Sequence, residues 1–109
     1  MIAPVMRVDM DRFEAAIQAA LDSIPTPFQP YLENTLFVIE EESPDGLLGL
    51  YEGGTALFAG DEPPERVTIF KRSHEEGVAT WDDLVEEVRR TILHEVGHHF
   101  GMDEDDLPY

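Results

Sequence analysis

The chain has no cysteine, and it has only seven basic residues against 24 acidic ones. The first lack excludes disulfides and thiolate metal sites, so any bound metal must be held by imidazole and carboxylate. The second gives a formal net charge of −17. That charge excludes DNA, RNA and anionic membranes as partners, because phosphate surfaces are held by clustered Lys and Arg. It keeps a small protein soluble, and among peptide segments it favours cationic ones. No run approaches the ~18 apolar residues of a membrane span. Residues Met1–Met10 contain Pro4, Arg7 and Asp9 and no sustained apolar stretch, unlike a secretory leader, so a cytoplasmic location is expected.

What is present is a 109-residue chain, 42% hydrophobic, which suits a single domain over residues 1–109 with one modest core. Asp9 is the expected cap of a helix through about Asp22, whose Phe13, Ala16, Ile17, Ala20, Leu21 and Ile24 recur on one side until Pro25 stops it. Thr26-Pro27 opens a short second helix through Tyr31 and Leu32 to Asn34. Thr35–Ile39 reads as a strand, Glu40–Glu42 as its solvated end and Ser43–Gly46 as a turn. Leu47–Tyr51 is a second strand, Thr55–Phe58 a returning hairpin arm, and Arg66–Arg72 a third clear strand. Gly49 inside a strand indicates a bulge or a close backbone approach. Ser73–Ala79 reads as a polar loop, with His74 as an exposed loop histidine.

The last helix starts at Thr80, with Trp81, Leu84, Val85, Val88, Ile92, Val96 and Phe100 as its buried stripe. Asp83, Glu86 and Arg90 are expected on the side away from that stripe, and His94, Glu95 and His98 on the sector bordering it. Near its end stands His94-Glu95-Val96-Gly97-His98, the pattern H-E-x-x-H. Two histidines one turn apart share a helix face and can converge on one zinc ion. Glu95, rotated about 100° from His94, stands beside the metal, where a general base for a metal-bound water belongs. Gly101 follows at the point where the helix should end. Glu104 follows three residues later, completing H-E-x-x-H-x-x-G-x-x-E with an oxygen donor. His94, His98 and Glu104 are therefore the candidate Zn²⁺ ligands and Glu95 the candidate catalytic base. His99 falls in the apolar sector and is expected to be a buried structural histidine rather than a ligand. Asp103–Asp106 has no EF-hand spacing, so a calcium site is not expected there.

These residues resemble the small bacterial zincin-like metallopeptidases, also called minimal metalloproteases. The resemblance runs through Leu47–Gly53, Arg66–Arg72, Val85–Arg89 and His94–Glu104, and the double histidine followed by Phe100-Gly101 is its most specific part. It implies an α+β, reduced zincin-like fold, in which a small mostly antiparallel or mixed sheet packs on a long C-terminal H-E-x-x-H helix and an N-terminal helix. It also implies an acidic third ligand after the glycine, at Glu104, with Asp103 and Asp105 as neighbouring oxygen donors. The function expected is a zinc-dependent peptidase acting on a peptide or protein substrate laid along a sheet edge, the strand from Leu47 or that from Thr55. Tyr51, His74 and Tyr109 are the candidates for a second electrophile. The alternative is a catalytically weak or inactive zincin-scaffold module for binding or regulation, favoured by the acidic cluster after Gly101.

Overall fold

The structure, a computed structural model, describes residues 6–33, 35–52 and 65–99, the side chains of Tyr31, His98 and His99 excepted. Helix α1 spans Met10–Asp22, a 3₁₀ turn Thr26–Tyr31, strand β1 Thr35–Glu40, β2 Gly49–Glu52 and β3 Glu65–Phe70. A short helix α2 covers Lys71–Glu75, and α3 covers Trp81–His99. The expected hairpin arm Thr55–Phe58 and everything after His99 lie outside the described residues.

Capping follows from the residues present. The Asp9 carboxylate accepts from the Arg12 amide at 2.8 Å, and the Thr80 hydroxyl accepts from the Asp83 amide at 3.1 Å. Each satisfies a first-turn N–H that has no partner within its own helix. The 3₁₀ turn carries Pro27 at its start and Pro30 inside it, and a proline cannot donate to a longer helix.

The sheet is mixed, in the order β1-β3-β2. β1 runs parallel to β3, with Phe37 opposite Val67 and Ile39 opposite Ile69. β2 runs antiparallel to β3, with Gly49 opposite Ile69 and Tyr51 opposite Val67. Strand side chains alternate between faces, so Phe37, Ile39, Gly49, Tyr51, Val67 and Ile69 share one face. That face meets the helices. Val67 and Ile69 are fully buried there, with Phe13, Ala16 and Ala20 of α1 and Leu84, Val88 and Ile92 of α3. Each large apolar side chain so buried contributes roughly 1.5–3 kcal/mol. The opposite face is more open, with Leu36 and Leu50 exposed. At the start of α3, the Arg12 guanidinium lies 4.8 Å from the centre of the Trp81 ring, a contact worth about 0.5–1 kcal/mol.

The stretch expected to be a polar loop after the third strand is different. β3 ends at Phe70, and Lys71–Glu75 turn at once into α2. Two of its polar residues, His74 and Glu75, are fully buried. Glu75 binds Lys71 Nζ at 3.1 Å, Arg7 at 3.5 Å and the Val8 amide at 2.8 Å. Lys71 also reaches Glu41 at 3.4 Å, and Arg72 reaches Glu42 at 3.2 Å, so the acidic end of β1 is tied to α2. Burial of these polar residues is possible because each has a partner.

Candidate active site

α3 continues without a break from Trp81 to His99, so His94 and His98 stand one turn apart on one face. His94 and Glu95 are both half-buried. They line an open groove of ≈ 360 Å³ whose other walls are Leu48, Glu87, Arg90 and Thr91. Two ridges of α3 make this wall: Glu87, Thr91 and Glu95 at intervals of four, and beside them Arg90 and His94. Arg90, expected on the far side of the helix, is therefore part of the groove. A residue four before His94 shares its face, and the direction of the core stripe is the wrong reference for that question.

Leu48, just before β2, forms the facing wall, and Gly49 is what lets the strand come so close. A Cβ at Gly49 would lie 2.7 Å from Thr91 Cγ2, 3.3 Å from Glu95 Cγ and 3.4 Å from the Thr68 carbonyl oxygen. Only glycine leaves room for strand and helix to touch beside Glu95. An alanine here forces a shift costing about 1–3 kcal/mol, and Thr91→Ser removes the methyl group it meets. Gly49→Ala is expected to lower stability in urea unfolding by that amount. Adding Thr91→Ser should recover most of the loss, whereas simple additivity of the two changes would contradict this packing.

Behind the groove lies a buried polar chain. His74 Nδ1 is 2.8 Å from the Phe70 carbonyl oxygen, and Nε2 is 2.9 Å from Thr91 Oγ1. The carbonyl can only accept, so Nδ1 carries the proton. Burial pushes the His74 pKa down, against the opposing pull of the Phe70 carbonyl and the Glu87 charge. In the neutral ring Nε2 can only accept, so the single Thr91 hydroxyl proton is shared between Nε2 and the Glu87 carbonyl oxygen, 3.0 Å away. This histidine, expected on an exposed loop, is a structural bolt between α2 and α3, and it holds Thr91 one turn before Glu95. No pattern in the sequence distinguishes it from a surface histidine, because its burial depends on α2.

Of the candidates for a second electrophile, His74 has both ring nitrogens engaged and Tyr51 is turned into the protein. Burial, and then the Glu65 carboxylate, hold the Tyr51 phenol well above its ordinary pKa. Neither lines the groove. Tyr109 lies outside the described residues, as do Glu104, Asp103, Asp105 and Gly101. Among the described residues no group of three or more His, Asp or Glu side chains converges as a metal site. Of the proposed ligand set, His94 is the member whose side chain is described.

The model of the zincin-like metallopeptidase family matches residues 29–109. The chain belongs to that family. The match takes in the whole sheet, α2 and α3, and the mixed sheet packed on an N-terminal helix and a long H-E-x-x-H helix is an α+β, reduced zincin-like fold. Membership points in general terms to zinc use. This zincin-like protein is also similar to a solved structure, a conserved hypothetical protein from T. thermophilus. The TM-score is 0.59 at 22% identity, covering 85% of this chain and 94% of that one. At that identity the likeness speaks for the fold alone. No curated protein matches the chain.

Proposed function

We propose that this zincin-like protein is a zinc-dependent peptidase in which Glu95 is the general base. The observation that supports it most is the pairing of His94 and Glu95 on the wall of an open groove whose other side is Leu48, just before an edge strand. The residues present suit the metal. Two imidazoles a turn apart on an unbroken helix, with one carboxylate, form the donor set of a catalytic zinc centre that keeps a position open. His94, His98 and Glu104 would hold the ion. Bound zinc supplies an acidified water and polarises a carbonyl oxygen.

The rest is the work of the chain. Glu95 takes the proton of the attacking water and passes it to the leaving amine. β2, with one edge unpaired among the described residues, aligns an extended peptide by adding it as a further strand. Gly49 keeps that strand close to Glu95. Arg90, on the same wall, is paired through Nε with Glu86 at 3.1 Å and places a positive charge beside the carbonyl oxygens of the substrate.

Zinc titration followed by thermal unfolding and by metal content tests the metal centre. At 100 times Kd the ion should stabilise the protein by about 2.7 kcal/mol, with one ion per chain, and His94→Ala should abolish the effect. Incubation of the zinc-loaded protein with a broad peptide library tests the chemistry, and cleavage should stop with a chelator. Zinc binding without cleavage would instead support a binding or regulatory module on this scaffold.

A further inference from the structure

A second groove lies across the molecule from β2, between α1 and the other edge strand, β1. It consists of two adjoining hollows of ≈ 520 Å³ and ≈ 310 Å³, which share Gln18, Leu21 and Phe37. The first hollow pairs the Met10 end of α1 with Ile39, and the second pairs its Asp22 end with Thr35. Helix and strand therefore run antiparallel along one continuous trough. Its floor is apolar, from Ile17, Leu21, Phe37 and Ile39, and the ionisable residues in its walls are Glu14, Asp22 and Glu33. Among the described residues no basic side chain lines it, and no strand pairs with β1 on the side away from β3.

We propose that this trough docks an extended segment of another protein in which two basic residues, four apart, flank an apolar one, and that the segment adds to β1 as a fourth strand. The spacing comes from the two elements. Glu14 and Asp22 are eight residues apart on α1, about 12 Å along a helix, and four residues of a strand span about 13 Å. Two groove-facing cations at i and i+4 thus meet the two carboxylates. The side chain at i+2 falls between them, over Leu21 and Phe37 and beside the Gln18 amide, which is 2.9 Å from Asp22 Oδ1. Backbone hydrogen bonds to an edge strand supply affinity, and alternate side chains supply selection.

A second copy of this chain is a poor occupant. It carries the same charge of −17, and none of its seven basic residues stands four positions from another. Those cations are also already engaged, in ion pairs for six and over Trp81 for Arg12.

The probe is a fluorescein-labelled nonapeptide, Val-Thr-Lys-Thr-Leu-Thr-Lys-Thr-Val, titrated into the full chain without metal. Its control has the same composition with the two lysines adjacent. The probe should bind saturably and at least tenfold more tightly than the control. Amide shifts in NMR should be confined to β1 and the groove side of α1. Glu14→Lys with Asp22→Lys, both at exposed positions, should weaken the probe at least tenfold while leaving the protein's own spectrum folded. Equal binding of the two peptides would mean undirected charge attraction and would overturn the proposal. So would shifts centred on β2 or scattered over the surface, or an absence of saturable binding. Neither zinc nor cleavage enters the measurement, so its failure is separate from a failure of the peptidase reading.

Discussion

Glu95→Gln is expected to bind zinc as the parent does and to lose about 10²–10⁴-fold in hydrolytic rate, the usual contribution of a positioned general base. The amide keeps the shape of the side chain, so the packing of its Cγ toward Gly49 survives and the fold is not at issue. What it loses is the ability to accept a proton at neutral pH. Glu95 lies beside His94 in the groove wall without belonging to the proposed ligand set, and metal content should not change. Metal analysis and turnover of a library-derived peptide, measured on the same preparation, separate the two properties. A variant that cleaves at the parental rate would remove Glu95 from the chemistry.

Glu75→Ala is expected to cost about 3–5 kcal/mol of unfolding free energy, the usual penalty for taking one partner from a buried ion pair. Among the described residues it leaves Lys71, 6% exposed, with the exposed Glu41 at 3.4 Å as its one ion-pair partner, and it leaves the Val8 amide without its Glu75 acceptor. Against a total of roughly 5–15 kcal/mol for a small domain, that is a large share. Urea unfolding measures it directly. The pH dependence has a definite sign. Burial alone would raise the Glu75 pKa, but the Val8 amide, Lys71 and Arg7 together hold it below the ordinary value. The native state then binds this proton less readily than the unfolded chain does. Its contribution is fully present above about pH 4.3, the ordinary glutamate pKa, and is lost as pH falls through the lower native value. The parent should lose stability in that acid window, and the Glu75→Ala curve should be flatter there.

Where the sequence carried a local signal, that signal was enough. Asp9 and Thr80 are caps because their side chains reach amides three residues on, and the stripes of α1 and α3 follow from apolar spacing alone. Gly49 is legible as a close approach, since an unexplained glycine within a strand has few other uses. His74, Glu75 and Arg90 were not legible in the same way. His74 and Glu75 look like surface residues and are buried because Phe70 and Lys71 one turn away, and Thr91, Arg7 and Val8 from distant parts of the chain, supply partners. Arg90 becomes part of a site only when β2 lies against α3 and creates the groove. In each case the missing information is a tertiary contact, which hydropathy along the chain does not encode.

The middle position of β3 also bears on how the molecule can be made. A ribosome releases β1 and β2 first, and among the described residues neither has a strand neighbour until β3, ending at Phe70, has emerged. The apolar side of α1 waits longer, for the turns of α3 that carry Leu84, Val88 and Ile92. At ~5–20 residues per second, the half-made chain spends several seconds with unsatisfied strand edges. Its run Glu40–Glu42, which begins on the last residue of β1, places like charges at the end of one of those edges, and their mutual repulsion opposes pairing between nascent copies.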